Sequence, residues 1–583
     1  MSDSPTDPNR RAILLGAGAA VGAAAGIAGG IALSSSSSAS ANAAIKWDAE
    51  TDVICVGSGA AAGTAAATAR LGGAEVIILE KMPMLGGTTG KSGGVTWIPN
   101  HRYMRERGVD DKKEDCLKFL ARFAYPNEYY PDSTTLGLNQ QNYSLLEAFY
   151  DHGADAIDML EDNAVVHFRE FKMWQVDMHS PDYADHLPEN KVPRGRALEP
   201  AAGAGSSLGG GSLAAQLAEW LEANGVPMLT EHQVTSLIKE GDRVIGVRVD
   251  NNGKSLNFRA RKGVIFGSGG YAHNTELVDL HQPGIYGACA MPGSTGDFIG
   301  IAAEAGARMG PLHTAWRTQV VLEEALENRA IGLGAFVLPG DSMIVVNKYG
   351  KRVTNEKRNY NDRTKTHFTY DPTREEFTNH MQFMIFDHRS LDAFGGAFPF
   401  PSDPRGSQHM ISADSLDQLA DRIDERLAAV AAKTGNEKLD NSFKQNLAQS
   451  VERFNGYARD GVDPEYNRGL HDYDSDWHLL FSARRDGTEY PANPHPNLVM
   501  HPFTEQGPYY AFILAPGALD TCGGPMINRH AQIIGNNSQP IPGLFGAGNC
   551  VASPTRQAYA GAGGTIGLAV TFGYIAGQQV LKA

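Results

Sequence analysis

The feature that most constrains the fold is a glycine-rich turn between two short apolar runs near the N-terminus. The run 52–56 leads into Gly57-Ser-Gly59-Ala-Ala-Ala, an alanine-rich stretch follows, and a second apolar run ends in Glu80. Short runs that are almost wholly apolar are typical of buried parallel strands. Gly57 allows a tight turn, Gly59 lets the backbone approach a pyrophosphate, and Glu80 can hold ribose hydroxyls. The pattern therefore predicts a dinucleotide site on an α/β sheet.

The segments that follow indicate which dinucleotide binds. Gly86-Gly-Thr-Thr89 and Ser92-Gly-Gly94 continue the glycine-rich pattern, as is typical of flavoproteins of the glutathione-reductase type. Two further apolar runs, 263–266 and 541–546, each lead into a glycine turn, and 234–249 alternates like a hairpin that turns at 240–242. Because one of these runs lies near the C-terminus, we expect a discontinuous domain that binds FAD. No motif for covalent attachment of FAD through a histidine is present, so we expect non-covalent binding.

Composition and charge exclude several classes of protein. Lysine and arginine number 51 against 66 acidic residues, and the net charge of −15 argues against nucleic acid as a partner. The five cysteines are an odd number and contain no C-x-x-C pair. A disulfide framework, a zinc ribbon and a c-type haem site are therefore not expected, and we predict no metal site.

Residues 1–44 are predicted to be a targeting segment rather than part of the fold. Arg10 and Arg11 precede an uncharged stretch, 12–33, and small residues in A-x-A register follow at 39–43. This pattern is typical of a twin-arginine export signal, which makes the export machinery a partner and predicts a location in the periplasm or on the outer side of the cytoplasmic membrane. A retained membrane anchor is the alternative, although a stretch of alanine and glycine gains little from burial in lipid.

Motifs spread along the chain resemble one family. They are Ser92-Gly-Gly-Val-Thr-Trp-Ile-Pro99, Leu338-Pro-Gly-Asp-Ser-Met-Ile-Val-Val-Asn347, Asn355-Glu-Lys-Arg-Asn-Tyr-Asn-Asp362 and, most specific, Tyr559-Ala-Gly-Ala-Gly-Gly-Thr-Ile-Gly567. Over about residues 50–583 the sequence resembles the 3-ketosteroid Δ1-dehydrogenase-like branch of the FAD-dependent fumarate reductase/succinate dehydrogenase flavoprotein superfamily.

The resemblance implies an FAD-dependent dehydrogenase that introduces a C=C bond alpha,beta to a ring ketone, in a 3-ketosteroid or a smaller cyclic ketone. It implies that Tyr360 removes the alpha proton while the beta hydrogen leaves as hydride to flavin N5. It also implies that the Tyr559 hydroxyl and the Gly563 amide bind the ketone oxygen as an oxyanion hole does. A free tyrosine has a pKa near 10, so Tyr360 needs assistance, which the family supplies through another tyrosine. The sequence does not place that residue: 167–174 lacks a tyrosine, and Tyr183 lies later.

The residues predicted to contact FAD lie mainly in the glycine-rich segments at the two ends of the chain. They are Gly57, Ser58, Gly59, Ala60, Ala61, Glu80, Lys81, Gly87, Thr88, Thr89, Ser92, Gly93, Val234, Gly269, Gly548, Asn549, Thr565 and Ile566.

Two other functions stay open at this point: a reductase of an activated alkene such as an enone or unsaturated acid, and a flavin electron-transfer protein. The fumarate reductase branch has a histidine just before its Thr-x-Gly-Gly turn, where this chain has Asp520, which would repel a dicarboxylate. Arg317 and Arg556 could still bind an anion. No second nucleotide fingerprint is visible, so we expect a quinone rather than NAD as the electron acceptor.

The predicted fold class is α/β, a discontinuous Rossmann-like FAD-binding domain of the glutathione-reductase type with an inserted α+β catalytic domain. We place the two parts of the FAD-binding domain at 45–320 and 507–583. The catalytic domain, 321–506, carries Tyr360 and a polar helical stretch at 414–459. Substrate is expected between the two domains.

Overall fold

The computed structural model describes residues 45–173, 177–201, 209–403, 406–482 and 493–583. The predicted targeting segment, 1–44, lies outside the described residues. Within the described ranges, no helix combines the length and the apolar character needed to cross a membrane.

The secondary structure alternates between strands and helices along the chain. The strands are β1 (Ala49–Val56), β2 (Val76–Leu79), β3 (Thr96–Trp97), β4 (Phe168–Glu170), β5 (Lys172–Met173), β6 (Met178–His179), β7 (Ala197–Pro200), β8 (Met228–Leu229), β9 (Gln233–Glu240), β10 (Arg243–Asn251), β11 (Lys254–Phe266), β12 (Gly287–Ala288), β13 (Ala315–Val321), β14 (Met343–Asn347), β15 (Tyr370–Asp371), β16 (Glu376–Phe377), β17 (Gln382–Asp387), β18 (Ile411–Ala413), β19 (Tyr509–Thr521), β20 (Gln532–Ile534) and β21 (Pro540–Gly546). The helices are α1 (Ala60–Leu71), α2 (Gly87–Lys91), α3 (Arg102–Glu106), α4 (Lys113–Ala124), α5 (Gln140–Asp162), α6 (Gly209–Ala223), α7 (Thr275–His281), α8 (Asp297–Glu304), α9 (Leu322–Glu327), α10 (Tyr360–Lys365), α11 (His388–Phe394), α12 (Leu416–Ala429), α13 (Phe443–Asp460), α14 (Asp472–Ser482) and α15 (Gly564–Val580).

The first sheet is the dinucleotide-binding sheet that the sequence predicts. Its strand order is β20-β21-β11-β1-β2-β8, and the hairpin β9–β10 joins it through β11. The strand β1 pairs in parallel with β2 and with β11, and β11 pairs in parallel with β21. Val53, Ile54 and Cys55 are fully buried, as expected for a parallel strand covered on both faces. The mixed α/β class and the closing of this sheet by a strand from near the C-terminus are thus confirmed.

Helix α15 packs against α1 at very short range. A Cβ atom added at Gly573 would lie 2.5 Å from the Ala61 backbone oxygen, so only glycine fits there. Most of α1 is alanine and buried, which leaves room for the second helix. The C-terminal helix and the helix after the glycine-rich turn therefore form one tightly packed unit.

A second, mostly antiparallel sheet has the order β12-β19-β17-β14, with β13 and β18 also paired to β19. Helices α12 and α13, which lie in the predicted polar helical stretch, bury apolar faces in the core beside it. Because the limit between 320 and 321 falls inside β13 and β19 begins after position 506, the predicted domain limits fall among the strands of this sheet rather than between the two sheets. All five cysteines are buried and none forms a disulfide.

Candidate active site

A cleft with a volume of about 1100 Å³, its open mouth included, lies at the carboxyl ends of β1, β2 and β11. Val56, Leu79 and Phe266, the last residues of these strands, line it. Ligands of open parallel sheets bind at this edge. All the residues predicted to contact FAD line the cleft except Gly93, whose backbone oxygen faces Gly209 at the start of α6.

One end of the cleft has the features that a nucleoside diphosphate requires. Glu80 is buried, and its carboxylate accepts hydrogen bonds from Ser58 Oγ at 2.6 Å and from the Met82 backbone at 2.9 Å. Gly59 is the N-cap of α1, whose first turn contains no acidic residue. The helix therefore presents backbone N–H groups and a partial positive charge to a diphosphate, with no carboxylate in the first turn to repel it. These residues fit the adenosine and diphosphate parts of FAD.

The cleft also contains residues that sequence reasoning missed. Except for Ser268, which lies in the glycine turn after 263–266, they come from segments that carry no glycine fingerprint, so only folding brings them to the cofactor edge. Lys81, for example, forms an ion pair with one of them, Asp297, at 3.0 Å. The missed polar residues of the cleft include His232, Gln233, Ser268, Ser294, Asp297 and Asp520.

Three tyrosine rings meet beyond the other end of the cleft, where Thr565 and Ile566 line it. The ring centroids of Tyr360 and Tyr559 are 5.6 Å apart, and the ring of Tyr183 lies 5.4 Å from Tyr360 and 5.1 Å from Tyr559. All three side chains are buried. The structure thus brings together the two tyrosines that the sequence singled out.

Tyr360 is positioned by the residues that precede it. Glu356 is completely buried and forms ion pairs with Arg352 at 2.9 Å and with Arg468 at 3.3 Å, which anchors the loop. Asn359 then caps α10, because its side chain accepts a hydrogen bond from the Asp362 backbone at 2.9 Å. Tyr360 is the first residue of that short helix, so both features fix its position.

Tyr559 and Gly563 lie on one turn that ends at the start of α15. Gly563 caps α15 with φ of +87°, and an added Cβ would lie 2.2 Å from the Val95 backbone oxygen, so glycine is required. The Gly563 backbone lies near the Tyr559 hydroxyl and lowers the pKa of that phenol against the effect of burial. The two donors are therefore within reach of one oxygen atom, at the positive end of a helix of 17 residues.

Tyr183 is the candidate for the assisting tyrosine that the sequence did not place. Its hydroxyl hydrogen-bonds to that of Tyr360 at 3.0 Å. Its backbone N–H donates to Ala560 at 2.9 Å, next to Tyr559, and its carbonyl accepts from Arg358 at 2.7 Å, close to Tyr360. No motif surrounds Tyr183, and 177 positions separate it from Tyr360, so only the folded chain shows their contact.

Burial dominates the electrostatics of this cluster. It raises the pKa of Tyr360 and of Tyr183 well above the usual value of tyrosine, and the neighbouring phenols add to the shift of Tyr360. Burial also raises the pKa of Tyr559, although hydrogen bonds from its neighbours oppose this shift. All three hydroxyls are thus protonated at neutral pH. The group can donate hydrogen bonds to an oxygen, and Tyr360 can accept a proton only in its phenolate form, to which the Tyr183 hydroxyl can donate a hydrogen bond.

The two arginines considered as anion ligands make other contacts. Arg556 forms an ion pair with Glu128 at 2.8 Å. Arg317 donates through Nη2 to Gln282 at 2.6 Å, and its guanidinium lies over the ring of Phe368. Neither contact involves a tyrosine of the cluster.

Comparison with known proteins agrees with this site. The chain is 29% identical to 4-oxocyclohexanecarboxylate 2-dehydrogenase of Sinomonas cyclohexanicum, over 91% of this chain and 92% of that protein. It is also 29% identical to 3-oxosteroid 1-dehydrogenase of Mycolicibacterium smegmatis, over 91% of this chain and 97% of the relative. The crystal structure of 3-ketosteroid Δ1-dehydrogenase from Sterolibacterium denitrificans in complex with 1,4-androstadiene-3,17-dione superposes with a TM-score of 0.74 at 26% identity, over 91% of this chain and 99% of that one. The family model for the FAD binding domain matches residues 52–566, so the chain belongs to this family of FAD-binding flavoproteins.

Proposed function

We propose that this protein is an FAD-dependent dehydrogenase that introduces a C=C bond alpha,beta to the ketone of a ring. The observation that carries the proposal is the convergence of Tyr360, Tyr559 and Gly563 at one end of the FAD cleft. The similarity to dehydrogenases whose names specify an oxocyclohexanecarboxylate and a 3-oxosteroid supports the same class of substrate.

The geometry suggests how the protein side of the reaction works. Bound FAD supplies a ring that accepts the beta hydrogen of the substrate as hydride. The Tyr559 hydroxyl and the Gly563 N–H hold the ketone oxygen and stabilise the negative charge that develops on it, which acidifies the adjacent C–H. Tyr360 Oη takes the alpha proton in its phenolate form, and the Tyr183 hydroxyl, 3.0 Å away, stabilises that phenolate by donating a hydrogen bond to it. The substrate thus loses one proton and one hydride and gains a double bond.

The two alternative functions, a flavin electron-transfer protein and a reductase of an activated alkene, explain fewer features of this site. An electron-transfer protein needs no pair of donors aimed at a ketone oxygen. A reductase of a dicarboxylate needs cationic groups beside the substrate, whereas this site places three neutral phenols there and the carboxyl group of Asp520 in the cleft.

The function can be tested by mixing the oxidised enzyme anaerobically with single compounds and following the flavin absorbance. We expect cyclohexanone-type ketones or 3-ketosteroids to bleach the flavin, because each can give up a proton and a hydride. Unsaturated carboxylates should leave the oxidised flavin unchanged. Absence of bleaching by every ketone, together with reoxidation of chemically reduced flavin by an unsaturated acid, would instead identify a reductase.

Cofactor binding yields a separate prediction. Gly59 has an extended backbone, and an added Cβ would approach Thr89 Oγ1 at 3.2 Å and the Gly86 backbone oxygen at 3.8 Å, so Gly59→Val should fold. We expect the purified variant to lack FAD, because the new side chain would occupy the space where the diphosphate meets α1. The measurement is the ratio of flavin to protein absorbance. Gly456→Val is the control, since nothing lies within 4 Å of a Cβ added on α13, and it should stay yellow. A yellow Gly59→Val protein would contradict the assignment of this turn.

We also propose a quinone as electron acceptor and export through the pair Arg10–Arg11. The absence of a second nucleotide fingerprint in the sequence supports the first proposal. The weakly apolar stretch and the A-x-A register that follow the arginines support the second. Export of the folded protein would suit an enzyme that receives FAD before it crosses the membrane.

A further inference from the structure

A buried carboxyl group that the proposed reaction does not use forms part of the wall of the FAD cleft. Asp520 lies near the end of β19 and is 1% exposed. Its Oδ2 accepts hydrogen bonds from the Gly270 backbone at 3.0 Å and from Asn549 Nδ2 at 3.3 Å, and its Oδ1 accepts one from the Thr521 backbone at 2.9 Å. Among the described residues it forms no ion pair. A carboxyl group with neutral partners only, buried beside a cofactor site, requires an explanation.

A chain of contacts places Asp520 toward the tyrosine end of the cleft. Asn549, which donates to Asp520, accepts a hydrogen bond from Trp316 Nε1 at 2.9 Å. The Trp316 ring in turn packs edge-on against Tyr559, with centroids 5.4 Å apart. Glu80 marks the opposite, ribose end. Since the reacting ring of the cofactor must lie beside the ketone site at Tyr559, Asp520 belongs to the half of the cleft that holds this ring.

We propose that Asp520 is a cofactor-facing residue whose negative charge keeps the reduction potential of the bound flavin low. Electrons added to the flavin near an unpaired carboxylate are repelled, and a buried site screens this repulsion weakly. A low potential would make the reduced flavin easier to reoxidise by the electron acceptor. This inference goes beyond the proposed function, because it concerns the cofactor alone and needs no substrate.

The charged form of Asp520 is controlled by pH. Burial raises the pKa of its carboxyl group to about 6, against the lowering effect of hydrogen bonds from Gly270 and Asn549. The titratable neighbours are Tyr271, beside Gly270, and Cys522 on its own segment, and burial raises the pKa of each to about 12. Both neighbours therefore stay neutral between pH 5 and pH 8. Over this range Asp520 changes from mostly neutral to ionised, so its effect on the flavin should appear as the pH rises.

The test compares the holoenzyme with Asp520→Asn by equilibrating the bound flavin with a reference dye at pH 5 and pH 8. At pH 8 and the same dye potential, we expect the ratio of reduced to oxidised flavin to be at least tenfold higher in the variant than in the wild type. This corresponds to a reduction potential about 30 mV higher for a two-electron couple. At pH 5 the two proteins should nearly coincide, because Asp520 is then largely protonated. Asp371→Asn is the control. It removes a carboxylate that pairs with Arg374 at 2.8 Å and does not line the cleft, so it should match the wild type at both pH values.

Results on the flavin potential or on FAD binding could each overturn the proposal. Equal potentials at pH 8, or a difference of the same size at both pH values, would show that the charge of Asp520 does not act on the flavin. If Asp520→Asn does not retain FAD, the smaller neutral variant Asp520→Ser replaces it in the same comparison. Loss of FAD from both variants would overturn the proposal, because the carboxylate would then be needed for binding instead of tuning. A failure of the ketone panel would leave all these measurements unaffected.

Discussion

Tyr360→Phe should lower turnover with a cyclic ketone by about 10² to 10⁴, with FAD still bound, because it removes the group proposed to accept the alpha proton. Exchange of the ketone's alpha protons with solvent deuterium, followed without any electron acceptor, should vanish in this variant. Tyr457→Phe on α13 is the control, since its hydroxyl donates to Glu465, at 3.4 Å, and lies outside the cluster. If Tyr360→Phe exchanges protons at the wild-type rate, the base is another residue, and Tyr183 is the next candidate.

The pH dependence of the wild type follows from the same residue. Because burial holds the pKa of Tyr360 well above its ordinary value, the fraction of phenolate increases with pH throughout the neutral range. We therefore expect the exchange rate to rise from pH 6 to pH 9. A rate that is independent of pH over this range would show that the Tyr360 phenolate is not the base.

Tyr559→Phe should reduce turnover by about 10² to 10³, or roughly 3–4 kcal/mol in transition-state stabilisation, because one of the two donors to the ketone oxygen is lost. The remaining donor, the Gly563 N–H at the start of α15, stays in place. Alpha-proton exchange should therefore be slowed but not abolished, which distinguishes this variant from Tyr360→Phe. Unchanged turnover in Tyr559→Phe would show that the ketone oxygen binds elsewhere.

The residues that the sequence predicted are those whose chemistry requires a local pattern. The turn at Gly57 and Gly59 and the turn at Gly563 need glycine for steric reasons, so they are visible in the sequence. Glu80 is visible because its distance from the turn is fixed by one strand–helix–strand unit. The positions of the strands 263–266 and 541–546 were predicted for the same reason, as short apolar runs before a glycine turn.

Tyr183 and Asp520 could not be assigned in this way. Tyr183 is held by backbone hydrogen bonds to Ala560 and Arg358, which any residue type could make, so no local signal marks it. Asp520 was recognised only as a departure from the expected histidine, because its contacts with Gly270 and Asn549 depend on how the two sheets meet. The predicted domain limits fall among the strands of the second sheet for a similar reason. A strand such as β19 looks the same in sequence whichever sheet it joins.

Because β21 completes the first sheet and α15 packs on α1, the cofactor cleft can form only late in translation. Gly59 and Asn549 line one cleft but are about 490 residues apart in the sequence. At about 5–20 residues per second, roughly 25–100 s pass between the synthesis of the two. During that interval the first half of the cleft has no second wall, so the nascent chain cannot enclose the cofactor. Capture of FAD must therefore follow translation of this region, and until then the end of β11 lacks the strand β21 with which it pairs.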